Sequence, residues 1–394
     1  MTNKKSATAV LAMLTISHLA QHLYVGVSVL YPNIKAELAL TYTEMGIVAG
    51  IASVFSGSLQ IFFSIAARSF PRRILLGIGN ILYSVSTLGI GLARNFHALV
   101  VSNIFGGIGS ASQHPLGVSM LSDKFSDSVA KALGIFYGLG YVGNIAGPLF
   151  LTGVAWFWGW RNALFALTVL PASIGLALIL YLRGESVGDK SIVEKKGTSL
   201  TRDLMGSLRN KSVLATLVAQ SLVIGGTGQG AIVTYTPLFL KNGLGLGPFE
   251  TSLIYSIAMG GGIVGTVVMG KYADRLGHLK GAILCTGLST VSVFFLTHYN
   301  SYETILIPHL FITGLLSFPI FSLMQAHIVS TSKPSEKDIL MGLFLTLGFG
   351  SSSIWSALLG FLIDAYNSFT PVWTLMSALS ASALIFQFLA YKLR

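Results

Sequence analysis

The chain has 394 residues, of which 53% are hydrophobic and only 10% are charged. Because ordinary globular proteins are roughly a quarter charged, this composition excludes a typical water-soluble domain and argues against an aqueous enzyme or a nucleic-acid-binding protein. The formal net charge of +11 does not change that conclusion, since the basic residues lie in short clusters between long apolar runs. The single cysteine, Cys285, excludes an internal disulfide and a cysteine-based metal site.

Twelve apolar runs are each long enough to cross a bilayer as a helix of about 20 residues. We number them spans 1 to 12; in chain order they cover 7–31, 44–66, 74–93, 97–121, 132–154, 162–182, 212–240, 251–272, 279–298, 303–330, 338–363 and 370–391. The sequence therefore predicts an all-α integral membrane protein with twelve transmembrane helices.

The positions of Lys and Arg predict the orientation of these spans, because translocation disfavours basic residues on the outer side. If the N-terminus lies inside, the outer side receives only four of the 25 Lys and Arg residues: Lys35, Arg94, Arg161 and Lys241. This asymmetry predicts a multi-pass protein of the cell membrane with both termini in the cytoplasm.

The longest polar stretch, 183–211, has mixed charge together with Gly and Ser. Such a composition is typical of a linker between folded bundles. We expect an N-terminal six-helix bundle at 1–182, a cytoplasmic linker at 183–211 and a C-terminal six-helix bundle at 212–394.

An internal repeat relates the two predicted bundles. Sliding the second half back by about 206 residues brings Gln229 onto Gln21 and Glu250 onto Glu44. The bundles are therefore predicted to be pseudo-symmetric, as in carriers in which one half rocks against the other around a site near the middle of the membrane.

The loop between spans 8 and 9 reads GKYADRLGH and resembles the cytoplasmic-loop motif G-x-x-A-D-R-x-G-R of the major facilitator superfamily. The resemblance extends over essentially the whole chain and implies the fold and transport function of that superfamily. Its residues Gly270, Asp274, Arg275 and Gly277 would form a conformational latch. Glycine permits close helix approach, Asp274 can cap or pair with a neighbouring helix end, and Arg275 can bridge to another helix.

Span 5 carries Gly134, Gly143, Gly147 and Pro148, a spacing similar to the motif G-x8-G-x3-G-P-x2-G-G of the drug:proton antiporter branch. The terminal glycine pair of that motif is absent. The resemblance implies that span 5 is a tightly packed helix that can bend, at the interface where the two halves close against each other. The alternative is that these glycines only allow ordinary helix packing in the membrane.

No Asp, Glu, Lys or Arg lies in the middle of a predicted span. Asn103 occupies the position where antiporters of the superfamily commonly have Arg. The polar residues of span 1 share one face, because His18, Gln21 and His22 are separated by three and four positions. On span 4, Asn103 and His114 are likewise expected on one face.

The family resemblance implies that spans 1, 4, 7 and 10 line a central cavity, and aromatic and amide residues of spans 5 and 11 can add contacts. The candidate substrate-binding residues are His18, Gln21, His22, Asn103, His114, Tyr137, Tyr141, Asn144, Gln229, Gln325, His327 and Trp355. Imidazole titrates near neutral pH, so the candidates for proton coupling are His22, His18, His114 and His327. Neutral hydrogen bonding between helices is the alternative role for each histidine.

These features favour a secondary active transporter that moves a small organic solute by alternating access, as a proton-coupled exporter, an antiporter, of a drug or metabolite. The alternatives are a proton symporter or facilitator for uptake of a small organic anion or neutral solute, a divalent metal transporter that uses the histidines, and a non-transporting receptor or membrane-embedded enzyme. No cofactor, resident metal or nucleic acid is expected. The expected partners are a small-molecule substrate, protons and the lipid bilayer, and the chain is expected to be monomeric.

Overall fold

The computed structural model describes residues 6–67, 69–125, 128–183, 210–227, 229–331 and 337–393. Within these ranges the chain consists of α-helices, short 3-10 and π segments and brief turns, with no β-strand. The helices of the N-terminal part are α1 Ala7–Val25 with a 3-10 segment Gly26–Leu30, α2 Tyr31–Glu37, α3 Tyr42–Ala66, α4 Arg72–Leu92, α5 Phe96–Ser110, α6 Gln113–Lys124, α7 Val129–Tyr141 and α8 Gly143–Tyr181.

The helices of the C-terminal part follow after residue 210. They are α9 Lys211–Gly225, α10 Gln229–Leu238 with a π segment Phe239–Gly243, α11 Pro248–Leu276, α12 His278–Phe295 with a 3-10 segment Leu296–His298, α13 Leu306–Thr331, α14 Lys337–Tyr366 and α15 Thr370–Lys392.

Each of the twelve predicted spans corresponds to a helix or a helix pair. Ten helical segments of the described chain are long and apolar enough to cross a membrane. One of them, Lys131–Tyr181, contains spans 5 and 6, which meet at Gly159 (φ 81°, ψ 161°). Span 4 is divided into α5 and α6 by a turn at Ala111 and Ser112. The all-α, twelve-span prediction is therefore confirmed.

The chain divides into two compact units. The first unit comprises Met1–Leu38 and Ile51–Lys195, and the second comprises Ala39–Gly50 and Lys196–Arg394. Helix α3 thus contributes its first turns to the second unit and the rest to the first. The sequence-based limits of 1–182, 183–211 and 212–394 stay a prediction, because most of the linker lies outside the described residues.

In the first unit, α1 packs closely against α8 because glycines remove the side chains between them. A Cβ built on Gly143 would lie 2.5 Å from the carbonyl oxygen of Leu19, and one built on Gly147 would lie 2.9 Å from Leu23 Cα. Small residues permit such close packing within a bilayer, where apolar burial against lipid gives little driving force. Close packing of α1 fixes the positions of its polar side chains.

In the second unit, the closest helix contact joins α11 and α13. A Cβ on Gly265 or Gly314 would overlap the backbone of Leu315 or Ala258, respectively. Beside this contact lies a core of buried apolar side chains from α9, α12, α13, α14 and α15, which includes Leu217, Cys285, Met324, Phe344 and Ala383.

Large apolar side chains are exposed along the outer faces of several helices. Phe62 is 68% exposed, Phe157 74% and Ile354 67%. A surface of this kind would favour aggregation in water, whereas in a bilayer it faces lipid chains of the same polarity.

The turn between spans 5 and 6 is fixed by a polar cluster at the helix ends. Gly159 has the left-handed φ that glycine adopts without strain. Next to it, Trp160 Nε1 donates a hydrogen bond to Glu37 (2.5 Å), and Arg161 forms an ion pair with the same carboxylate at 2.9 Å. Arg161 also donates to two backbone carbonyls at the end of α4. These contacts tie the start of span 6 to the ends of α2 and α4.

Candidate functional site

Three imidazole rings from two helices lie together in the interior of the first unit. His18 and His22 of α1 have ring centroids 4.5 Å apart, and His114 of α6 lies 5.2 Å from His18. We call these three residues the histidine cluster. His18 is 1% exposed. The sequence predicted that His18 and His22 share a face, and the structure adds His114 to them.

Hydrogen bonds fix the two rings of α1. His18 Nδ1 lies 3.0 Å from the backbone oxygen of Phe136 on α7, and His22 Nδ1 lies 2.8 Å from Oδ1 of Asn144 on α8. The two Nε2 atoms face one another at 3.0 Å. The ring nitrogens of the pair are therefore all engaged, two with oxygen acceptors and two with each other.

Aromatic side chains of α7 surround the histidine cluster. The Phe136 ring stacks on His18 with centroids 4.3 Å apart and an interplanar angle of 11°. Tyr141 meets His22 edge to face at 4.8 Å, and Tyr137 stacks on His114 at 6.0 Å. The predicted residues Tyr137, Tyr141 and Asn144 thus lie beside the predicted histidines, although they come from another span.

Gly140, which was not among the residues predicted from the sequence, leaves space for the His18 ring. A Cβ built on Gly140 of α7 would overlap His18 Nδ1. Gly140, Gly143 and Gly147 are three and four residues apart and all face α1. This stripe of small residues on one helical face is the sequence signal that could have identified the contact.

A second polar network lies beside the cluster. Gln113 of α6 is fully buried, and its Oε1 accepts hydrogen bonds from Ser17 (2.9 Å) and from Gln21 (3.4 Å). Asn80 of α4 donates to Ser17 at 2.9 Å. Gln21 is therefore bonded within a network joining three helices, and the sequence analysis did not assign Gln113 or Asn80 to the site.

Asn103 makes its hydrogen bonds outside the histidine cluster. Its Oδ1 accepts a hydrogen bond from Tyr24 (3.2 Å), whereas its Nδ2 donates to the backbone of Leu99. The turn at Ala111 and Ser112 separates Asn103 on α5 from His114 on α6. The expected face shared by Asn103 and His114 stays a prediction.

The candidate substrate-binding residues of the second unit have contacts of their own, within that unit. Gln325 Nε2 lies 3.2 Å from the sulfur of Met341, and His327 is 1% exposed on α13. Trp355 Nε1 donates to the backbone of Ser221 at 2.8 Å. The side chain of Gln229 lies outside the described residues.

The predicted latch is only partly described. A Cβ on Gly270 would meet no described atom within 4 Å, and the role of this glycine in a latch stays a prediction. Gly277 has φ 89° and forms the turn between α11 and α12, a conformation that favours glycine. Arg275 is exposed, and the side chain of Asp274 lies outside the described residues.

The glycines of the span 5 motif also differ from one another. Gly143 and Gly147 contact α1 of the same unit, and Pro148 N lies 2.5 Å from a Cβ built on Gly26. Gly134 is exposed, and a Cβ there would meet no described atom within 4 Å. The close packing expected of Gly143, Gly147 and Pro148 is observed against α1, whereas Gly134 does not contribute to it.

The N-terminus of α3 is capped from a distant part of the second unit. Asp364 near the end of α14 accepts hydrogen bonds from the backbone N–H groups of Tyr42 (2.9 Å) and Thr43 (2.8 Å). Thr41 and Glu44 complete the cap, because each accepts a backbone hydrogen bond from the other. This cap could not be predicted from the sequence, because its partners are more than 300 residues apart.

A cavity of about 200 Å³ also lies in the second unit, lined by Tyr42, Asn242, Tyr299, Asn367, Trp373 and neighbouring residues. Burial raises the pKa of the Tyr299 phenol, and the carboxylate of Glu303 raises it further. None of the candidate residues predicted from the sequence lines this cavity.

Among the described residues there is no group of three or more His, Cys, Asp or Glu side chains arranged to hold a metal ion.

Comparison with known proteins connects this architecture to transporters. A probable L-galactonate transporter of Escherichia coli is 22% identical over 379 residues, which cover 91% of this chain and 83% of that protein. The fosmidomycin resistance protein of Escherichia coli is 24% identical over 372 residues, covering 92% of this chain and 88% of that protein.

Solved structures show the same fold. A bacterial homologue of the human lysosomal transporter Spinster, inward-facing and unoccupied, matches with a TM-score of 0.79 at 18% identity, covering 99% of this chain and 98% of that one. The nucleoside transporter NupG matches with a TM-score of 0.76 at 13% identity, covering 98% of each chain. The sequence model of the Major Facilitator Superfamily matches residues 10–356 and 244–393. The chain therefore belongs to the Major Facilitator Superfamily and is a multi-pass membrane transporter of the alternating-access type, not an enzyme.

Proposed function

We propose that this chain transports a small organic anion and couples its movement to protons through the histidine cluster. The observation that carries the proposal is the contact among His18, His22 and His114 inside the first unit. Imidazole is the side chain that changes charge around neutral pH, so a group of three provides a site whose charge depends on the proton supply.

The surroundings of the cluster favour an anionic solute over a cationic one. In the described chain, the hydrogen-bond and ring contacts of His18 and His22 involve imidazoles, phenols, an amide and a backbone carbonyl, but no carboxylate. A cationic solute would lack a charged partner there, whereas a protonated imidazole offers an anion both charge and an N–H donor. Tyr137, Tyr141 and Asn144 add phenol and amide groups for orientation.

Export is the direction that we favour. The resemblance to the fosmidomycin resistance protein over most of the chain supports it, and so does the packing of Gly147 and Pro148 against α1. In this direction the solute leaves the cell while protons enter, as an antiporter of the cell membrane. Exchange requires that the solute binds the cluster in its neutral form, through imidazole N–H, phenol and amide donors, and that a proton occupies the cluster on the return step. We expect both termini in the cytoplasm and a monomeric protein.

Uptake by proton symport is the second candidate. Relatives named for L-galactonate and sialic acid transport support it, since both names denote acidic sugars. Protonation of the cluster would then accompany solute binding on the outer side. Both candidates use the same site and differ in the direction of proton movement relative to the solute.

Transport by the purified full chain in proteoliposomes tests the proposal. Radiolabelled fosmidomycin and L-galactonate serve as probes, each with a pH gradient of either sign and without one. Solute movement opposite to the proton gradient supports exchange, and movement in the same direction supports symport. Solute movement that does not respond to the gradient refutes proton coupling. Movement of neither probe above that in protein-free vesicles counts against this substrate class, and a thermal-shift screen of sugars, amino acids and lipophilic drugs would then follow.

The variant His22→Gln links the measured transport to the cluster. Glutamine can still hydrogen-bond to Asn144, but it does not take up a proton. The matched control is His97→Gln, because His97 is exposed at the start of α5 and lies outside the cluster. Loss of gradient dependence in the first variant but not in the second supports the site.

A further inference from the structure

The hydrogen-bond partners of His18 and His22 determine how many protons the pair holds. The Phe136 backbone oxygen can only accept, so His18 Nδ1 at 3.0 Å must carry a proton. Asn144 Oδ1 can also only accept, so with the amide in this orientation His22 Nδ1 at 2.8 Å carries one as well.

The contact between the two Nε2 atoms holds one further proton. At 3.0 Å, one nitrogen donates and the other accepts through its lone pair. Two protons would make this contact repulsive, and with none there would be no hydrogen bond. The pair thus carries three N–H protons on two rings, whereas two neutral imidazoles carry two. In this arrangement the pair bears one positive charge.

Rotation of the Asn144 amide gives the alternative arrangement. An amide turned about Cβ–Cγ presents its NH2 group where its oxygen was, and it then donates to an unprotonated His22 Nδ1. The other two hydrogen bonds are unchanged, because His22 Nε2–H still donates to His18 Nε2 and His18 Nδ1–H still donates to Phe136. The pair is then neutral, and all of its ring nitrogens remain hydrogen-bonded.

We propose that His18 and His22 take up a single proton as one unit, and that the Asn144 amide rotates with each uptake and release. On uptake, the hydrogen bond from the Asn144 NH2 group to His22 Nδ1 breaks, and a hydronium ion of the solvent transfers its proton to that nitrogen and leaves as water. The amide oxygen then accepts from the new N–H bond, and the positive charge is shared across the Nε2 contact. Release reverses these steps, and no electron is transferred. This proposal rests on the proposed function, since it specifies how that site would hold its proton.

The neighbours of the pair support a limit of one proton. The titratable groups that face it are His114 from α6 and the phenols of Tyr137 and Tyr141 from α7, while α8 contributes the Asn144 amide. In the described chain none of these contacts is a carboxylate that could balance a second charge. A second proton would place two cations in direct contact, which is unfavourable inside a membrane.

Nitrogen-15 NMR of histidine-labelled full-length protein in detergent, without substrate, tests the proposal. The chain has 8 histidines, so His18→Gln and His22→Gln assign the signals of the pair. In the neutral pair, His18 Nε2 and His22 Nδ1 both give the signal of an unprotonated ring nitrogen. On acidification one of these two signals should disappear in a single step, and the other should persist as the shared nitrogen.

Substitution of the amide tests the role of Asn144. A carboxylate of the same shape, in Asn144→Asp, can only accept and therefore favours the charged pair; the midpoint of proton uptake should rise by about one pH unit or more. The control Asn162→Asp places the same change on α8 at an exposed position and should leave the midpoint unchanged.

Disappearance of both signals, independent midpoints for the two rings, or an unchanged midpoint in Asn144→Asp would each overturn the proposal. The wild-type titration is decisive even if a variant fails to fold. Because the NMR is done without substrate, it separates this inference from the proposed function. If the NMR shows a shared proton but transport does not depend on pH, only the proposed function is refuted. If the two rings titrate independently but transport is coupled to protons, only the sharing of the proton is refuted.

Discussion

Replacement of Gly140 by alanine is expected to displace the ring of His18. A Cβ on Gly140 would overlap His18 Nδ1 and lie 2.8 Å from both Cε1 and Cγ of that ring. The ring must therefore move, and its hydrogen bonds to Phe136 and His22 are lost with that movement. The matched control is Gly138→Ala on the same helix, because a Cβ on Gly138 would meet no described atom within 4 Å.

The structure also gives the expected size of the effect. Forcing an extra methyl group into a packed contact destabilises by about 1–3 kcal/mol. Leaving a buried hydrogen-bonding group without its partner destabilises by a further 1–3 kcal/mol or so. The greater helix propensity of alanine offsets about 1 kcal/mol of this. We therefore expect Gly140→Ala to lower the free energy of unfolding by about 1–5 kcal/mol and Gly138→Ala to leave it equal or slightly higher.

Two measurements check this prediction on purified protein in detergent. Thermal unfolding gives the stability of both variants, and nitrogen-15 NMR reports whether the His18 ring still shares a proton with His22. The reasoning is refuted if Gly140→Ala keeps wild-type stability and wild-type imidazole signals, because the ring would then not lie against α7 as described. It is also refuted if Gly138→Ala has the same effect, because the disturbance would then belong to the helix and not to the contact.

Three other predictions address charge, capping and topology. His22→Gln should flatten the pH dependence of proteoliposome transport, because glutamine cannot take up the proton that makes the wild-type cycle depend on pH; an unchanged profile would exclude this histidine. Asp364→Ala should lower the free energy of unfolding by about 1 kcal/mol through loss of the α3 cap, with Glu303→Gln as an exposed control expected to match the wild type. Reporters fused after Lys195 and at the C-terminus should read cytoplasmic and one after Lys241 external, and an external reading at Lys195 would contradict the twelve-span topology.

The sequence was sufficient for the spans because a bilayer requires about 20 apolar residues for each helical crossing. It was not sufficient for the interruption of span 4. Ala111 and Ser112 keep right-handed helical backbone angles there, and Ser112, the N-cap of α6, makes no side-chain capping hydrogen bond. The face shared by Asn103 and His114 assumes a regular helix through this turn, and it stays a prediction.

Only the part of the candidate site that lies on one helix could be predicted from the sequence. His18 and His22 are one helical turn apart, so their proximity follows from helix geometry. The approach of Asn144, Tyr141 and His114 depends on which helices pack against α1, and that is decided by contacts between residues about 100 positions apart. The glycine stripe facing α1 was visible in the sequence, but its partner helix was not.

One turn of α7 explains why proton exchange should occur at His22. Phe136 and Gly140 are one turn apart, so the missing Cβ of Gly140 leaves room for the His18 ring beside the Phe136 carbonyl, while the Phe136 ring stacks on its face. This carbonyl accepts the His18 Nδ1 proton in both arrangements of the pair, since a backbone oxygen has no donor form. At His22 Nδ1 the partner is an amide that can present either an acceptor or a donor. In the proposed unit, net proton uptake and release therefore occur at Nδ1 of the partly exposed His22, while the His18 Nε2 lone pair shares the proton between the two Nε2 atoms.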